Sequence, residues 1–226
     1  MPKYVRQEVT LPSPDEVARF MEAAGQRDPD FAALLWVAMV TGARRGELCG
    51  LRWSHLRLDE GYLRISRNLV QRGCQRQEKD TKTHQGRHLE LDELTSEVLA
   101  EHRARCEERA ALCGVELRPD GFVFSLSPDG AEPVVPDSMT QRINRLSARL
   151  DIHVTLRSLR HYAATQMLTR GIDLRTAAGR LGHGDGGTTT LRVYTHFLRG
   201  PDRQASQVLA GSIPRPPGLS REPASG

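Results

Sequence analysis

Residues 156–197 read LRSLRHYAATQMLTRGIDLRTAAGRLGHGDGGTTTLRVYTHF: a basic helical pattern, a second short one, a glycine-rich turn after His183, and a lone tyrosine, Tyr194. The chemistry-bearing side chains in it are Arg157, Arg160, His161, His183 and Tyr194. Together they suit an attack on a phosphodiester. The transition state of that reaction gathers charge on the non-bridging oxygens. A guanidinium stays protonated and can clamp two such oxygens at once, where a lysine offers a point charge. A tyrosine hydroxyl beside them can serve as nucleophile and hold the chain end as a covalent ester. Taken singly, each residue fits a solvated helix face, with Tyr194 half-burying its ring. The decision therefore has to come from the rest of the chain.

With 226 residues, 38% hydrophobic and 27% charged, the chain can bury a proper core as one large domain or two small ones. The longest apolar run, 31–40, has the length of a buried helix and falls short of a membrane span. The opening MPKYVRQEVT holds no apolar signal segment, so the expected location is the cytoplasm. Cys49, Cys74, Cys106 and Cys113 show neither a CxxC pair nor zinc spacing and read as reduced thiols. Formal net charge is +4, and the basic residues are unevenly spread: 142–180 holds eight arginines against two acids, whereas acids dominate 92–108. Such a split suggests one face for a polyanion and another for solvent, with arginines scattered over several helices as the competing reading.

The hydrophobic pattern predicts a mainly helical α+β domain. Ser13, Pro14 and Glu16 form a capping signature for a first helix. A buried helix over 31–40 ends at Thr41-Gly42, and a short one runs from 44 to about 51. Alternation at 62–66, 68–72 and 87–91 predicts a small three-stranded antiparallel sheet. The polar stretch CQRQEKDTKTHQG at 74–86 reads as a turn or loop, and one short strand is expected at 122–124 within a loop-like segment, 115–133. Further helices are expected at 93–112, 137–150, 156–170, 174–181 and 188–196, with a weaker one at 202–209. The proline-rich tail 211–226 reads as disordered.

Two upstream pieces add to the opening stretch. In TGARRGEL, 41–48, Arg44 sits just past a tight turn and close to a helix start, where amides and a guanidinium can face an anion. Glu47 can hold Arg44 or its neighbours in register, or simply cap the helix through an i, i+3 ion pair. In TKT, 81–83, followed by GRHLEL, 86–91, Lys82 lies on a turn approaching a strand, where it either protonates an alkoxide leaving group or is merely solvated.

The combination resembles the catalytic domain of the tyrosine recombinases, the phage integrase family. TGARRGEL, TKT with GRHLEL, LRSLRHYAAT, RLGH and VYTH occur in the family's order and span roughly 11–209. The resemblance implies that Arg44 and Arg160 are the two catalytic arginines, Lys82 the hairpin lysine, His183 the histidine of the LGH motif, Tyr194 the nucleophile and Glu47 a supporting acid. It implies double-stranded DNA as partner, a tetramer of protomers on paired sites with a monomer when free, no membrane, no metal and no cofactor. Thr81, Arg87, Gln141, Arg142, Asn144 and Arg145 are the expected DNA contacts, since Arg and Asn pair with base edges; a solvated helix is the alternative for the last four.

The sequence departs from the family pattern twice. Arg157 stands where a histidine is usual three residues before the second arginine; it can donate to a phosphate but cannot act as a base. Gly184-Asp185-Gly186-Gly187 lengthens the interval from His183 to Tyr194 to eleven residues. Family members generally carry a helical core-binding domain ahead of this one. Residues 1–10 read as a linker remnant, 11–210 as the catalytic domain, and the core-binding domain as absent, whether through excision, truncation or a minimal design. The implied activity is site-specific strand cleavage and rejoining through a 3′-phosphotyrosyl intermediate. Two alternatives stand beside it: a catalytically weak DNA-binding regulator, and a nicking-closing enzyme like the type IB topoisomerases.

Overall fold

The computed structural model describes residues 11–73, 75–80 and 86–182. Thr81, Lys82, His183, Tyr194 and the helices expected at 188–196 and 202–209 lie outside the described residues. The predicted Ser13 capping box closes helix α1 (Pro14–Arg27): Ser13 Oγ accepts from the Glu16 amide at 3.2 Å, and Glu16 Oε2 accepts from the Ser13 amide at 2.7 Å. Asp28 then caps α2 (Pro29–Thr41), which beyond its first turn is apolar on every side and so has no polar face to turn to solvent. It takes the centre, with α1, α4 (Glu93–Leu112) and α6 (Leu156–Thr169) packed around it. Gly42 ends α2 in the left-handed region, at φ 58°. A Cβ there would lie 2.5 Å from Leu181 Cδ2, so this turn needs glycine both for its backbone and for the approach of α7 (Leu174–Leu181).

The short helix α3 (Arg45–Cys49) follows, then a 3-10 turn (Trp53–His55) and the strands. A three-stranded antiparallel sheet is present as the alternation implies, in the order β1 (Leu56–Arg57), β2 (Tyr62–Ile65), β5 (Arg87–Glu90). Its membership differs from expectation. The segment expected as the middle strand is β3 (Arg67–Arg72), and it pairs separately with β4 (Gln75–Asp80), inside the stretch read as a loop. QRQEKD carries none of the β-branched or aromatic residues that mark a strand, yet backbone pairing to β3 does not require them. Arg52 also holds this ladder to the body, through Glu78 Oε2 at 2.9 Å. The strand expected at 122–124 forms only isolated bridges, Arg52 to Phe122 and Ser125 to Pro133.

Helix α5 (Pro136–Arg149) buries Met139, Ile143 and Leu146 against this core. Cys49 and Cys106 are buried thiols and Cys113 an exposed one. Among the described residues no helix is long and apolar enough to cross a membrane.

On the side of α2 away from its glycine turn, a charged network around the buried His102 joins three segments. Asp30 accepts from His102 Nδ1 at 3.0 Å, Arg105 Nε at 2.9 Å and Arg109 Nη1 at 2.7 Å. The other His102 nitrogen lies 2.8 Å from the Val123 carbonyl, and the ring stacks on Phe124. Both partners of the imidazole are acceptors, so the doubly protonated form fits the site. Burial alone pushes the His102 pKa down, but the Asp30 hydrogen bond outweighs it and the group rises from 6.5 to about 9. Because the folded value exceeds the unfolded one, the stabilisation is complete below about pH 6.5 and is lost as pH climbs through about 9. His102→Leu is therefore expected to lower stability at pH 6.5 by on the order of 3 kcal/mol. Denaturant titrations from pH 6.5 to 10 should show the gap to wild type shrinking; a gap independent of pH would exclude a buried imidazolium.

Candidate active site

Arg44 is the N-cap residue of α3, with extended backbone at φ −73°, ψ 155°, and its placement follows from the Gly42 turn before it. Three residues on, Glu47 points back into the protein and is only 3% exposed. Its carboxylate is fully used. Oε2 accepts from the Arg44 amide at 2.8 Å and Arg87 Nη2 at 2.7 Å; Oε1 accepts from Arg44 Nη1 at 3.0 Å and Arg87 Nη1 at 3.1 Å. Four donors match the acceptor capacity of an ionised carboxylate. Burial pushes the Glu47 carboxyl up, yet the hydrogen bonds and charge of Arg87, followed by Arg44, hold it below the ordinary carboxylate range. Helix capping and support of Arg44, alternative readings of the sequence, are thus one contact.

Arg87, expected as a DNA contact, is instead turned inward. Strand register pairs Leu63 with Leu89 and Ile65 with Arg87, so Arg87 shares the face of β5 that buries Leu89. An arginine on that face needs an acid, and Glu47 lies within reach. The alternation of Arg87, Leu89 and Leu91 in the sequence carries this signal, because alternate strand residues point the same way.

Arg160 projects from α6 toward the same region. Its Nη1 donates to the Gly42 carbonyl and its Nη2 to the Leu181 carbonyl at 2.6 Å. Arg44 Nη2 donates to the Gly182 carbonyl at 2.7 Å, and Arg87 Nε to the Arg180 carbonyl at 3.2 Å. Three successive carbonyls at the end of α7, which a helix leaves without internal partners, are thus met by three guanidiniums. The next residue in the sequence is His183.

A cleft of about 450 Å³ is lined by Arg44, Arg157 and Arg160, with Thr140 and Asn144 contributed by α5. The arginines that the sequence singles out are therefore brought together. Arg157 is exposed, and its Nε donates to His161 Nε2 at 3.4 Å. Burial, then the charges of Arg157 and Arg160, keep His161 below the ordinary histidine range, which suits a neutral ring that accepts this bond. Arg45, which the sequence reading passed over, also lines the cleft and binds Asp137 at 3.1 Å and Thr140 at 2.9 Å.

Helix geometry divides the four expected contacts on α5. Asn144 lies on the cleft face with Thr140, four residues away, and Gln141 is exposed. Arg142 and Arg145 lie around the helix, lining a separate hollow with Arg27 and Phe31. Arg142, read from the sequence as groove-facing, is instead held by Asp28 and stands 4.2 Å over the Phe31 ring. Its neighbours in sequence do not reveal this, because the partner acid is the cap of α2.

Since Glu47 is held ionised in the folded protein, its contribution is present above pH 4.5 and is lost as pH falls below that value. Glu47→Gln is expected to destabilise the fold at pH 7 by roughly 3 kcal/mol, by leaving two guanidiniums without their buried acid. Urea unfolding at pH 7 and pH 4 tests this: the difference from wild type should narrow in acid.

The sequence pattern of the phage integrase family matches residues 12–199. Among curated relatives, a "Tyrosine recombinase XerC-like" protein of Caldanaerobacter subterraneus subsp. tengcongensis is 26% identical over 220 residues, covering 91% of this chain and 55% of the relative. The tyrosine recombinase XerC of Xylella fastidiosa (strain M23) is 30% identical over 203 residues, covering 87% and 59%. The chain thus spans a little over half the length of these relatives. Among solved structures, XerA recombinase superposes with a TM-score of 0.62 at 25% identity, covering 94% of this chain and 68% of that one. The Tn1549 transposon integrase, in complex with transposon right end DNA, gives a TM-score of 0.73 at 19% identity over 93% and 68%, a likeness of fold. The match over residues 12–199, on a fold that these structures share, means that the chain belongs to the phage integrase family.

Proposed function

We propose that this chain is the catalytic domain of a site-specific recombinase that cleaves and rejoins DNA strands by transesterification. The observation that carries the reading is the cleft in which Arg44, Arg157 and Arg160 meet. A scissile phosphate there has its developing equatorial charge neutralised by fixed guanidiniums, the role cations play in other phosphoryl-transfer sites. Tyr194 attacks the phosphorus, leaving a 3′-phosphotyrosyl ester and a free 5′-hydroxyl. Lys82 protonates the departing 5′-oxygen, and His183 hydrogen-bonds to the phosphate or accepts the tyrosine proton. The ester conserves the energy of the broken bond, so rejoining needs no nucleotide.

Double-stranded DNA is the proposed partner, and a tetramer on paired sites the working assembly. Phosphate contacts supply most of the affinity. Asn144 and Gln141, on or beside the cleft face of α5, are the proposed groove contacts. A second reading, DNA binding without efficient cleavage, is favoured by Arg157, which cannot act as a base.

Two experiments separate these readings. On a nicked suicide duplex the wild type should form a covalent adduct that survives denaturant, and Tyr194→Phe should form none; absence of any wild-type adduct on cognate duplexes would exclude the enzyme. In single-turnover assays Arg157→Ala should slow adduct formation roughly a hundredfold, whereas Arg157→His should retain most of the rate. An Arg157→Ala rate equal to wild type would remove Arg157 from the phosphate site.

A further inference from the structure

Arg87 presents an unusual allocation of donors. Its side chain is 16% exposed, against 48% for Arg44, so it is withdrawn from the solvent side of the cleft. Nη1 and Nη2 grip the two oxygens of Glu47 as a fork, and Nε takes the Arg180 carbonyl. Gly182 makes room for this guanidinium: a Cβ at that position would lie 2.5 Å from Arg87 Nη1, and its φ of +70° already favours glycine. Arg44 in turn is anchored at Glu47 Oε1 and at the Gly182 carbonyl, both of which Arg87 borders. One guanidinium thereby ties β5, α3 and the end of α7 together behind the residue that faces the cleft.

We infer that Arg87 is a positioning residue for strand cleavage, holding Glu47 and the end of α7 so that Arg44 meets the scissile phosphate in fixed geometry. This rests on the proposed role of Arg44 as a phosphate contact. A lysine cannot replace Arg87, because a point charge cannot grip both Glu47 oxygens and reach a carbonyl in the same plane. Arg87 acts on the transition state through Arg44 and contributes nothing directly to the phosphate contacts that set DNA affinity.

The test is a double-mutant cycle in the full chain, using Arg87→Lys and Arg44→Lys singly and together on the suicide duplex, with DNA affinity measured across a salt series. Arg87→Lys keeps the charge and guards against loss of the fold. Alone it should slow adduct formation by about tenfold to a hundredfold, somewhat less than removal of a direct donor. With Arg44→Lys already present the same change should have little further effect, since the residue it positions is gone. The salt dependence of DNA binding, measured on the charge-removing Arg87→Gln with its fold checked by circular dichroism, should stay at the wild-type slope. Independent, multiplicative losses from the two substitutions would overturn the inference in favour of a merely structural role. A salt slope reduced by about one would overturn it in favour of a direct phosphate contact. If wild type itself forms no adduct, the recombinase reading fails and this inference with it; additive losses in an active wild type sink this inference alone.

Discussion

The site depends on one buried carboxylate. Glu47 lies where desolvation opposes its charge, and only a full set of donors keeps it ionised. Arg44 supplies two of them and Arg87 the other two. The consequence is geometric. Arg44 belongs to a tight turn after α2, Arg87 to a strand of the small sheet, and a single acid fixes the distance between them. Two guanidiniums around one carboxylate leave an excess of positive charge, and the cleft adds Arg157 and Arg160. Of these, Arg44 and Arg160 are tied to backbone carbonyls, so an anion bound as proposed would meet charge already held in place, the condition for preorganised electrostatic stabilisation.

The end of α7 is built into the same arrangement. A helix C-terminus presents carbonyls without partners and a partial negative charge. Here Arg87, Arg160 and Arg44 meet the carbonyls of Arg180, Leu181 and Gly182 in turn. Arg44 and Arg160 thus have part of their freedom removed before any ligand arrives, lowering the entropy still to be lost on binding. Arg180 reinforces the junction from the other direction by donating to the carbonyls of Val40 and Glu90. The motif RLGH therefore places a histidine after a helix end that the site's own arginines secure.

Away from the cleft, the His102 network does for the start of α2 what Gly42 and Leu181 do for its end. Asp30 draws α4 onto the first turn of α2, and the bond of His102 to Val123 brings in the loop that β-bridges to Arg52. Arg52 also holds Glu78 on the two-stranded ladder, so the hairpin preceding Lys82 in the sequence is coupled to the same framework.

Local signals made much of this protein legible in its sequence. The Ser13 box, the Gly42 stop, the apolar run of α2 and the helices expected at 93–112, 137–150, 156–170 and 174–181 depend on residues a few positions apart, and the structure reproduces them. The family resemblance of their motifs likewise pointed to Arg44, Arg157 and Arg160, three of the arginines that share the cleft, and missed Arg45. Long-range partnerships were decided by the tertiary structure: the pairing of β2 with β5, the strand at Gln75–Asp80, the inward turn of Arg87 and the capture of Arg142 by Asp28. Periodicity states which face a side chain occupies; which acid or carbonyl awaits it there depends on elements tens to more than a hundred residues away, brought close only by the packing of the helices around α2.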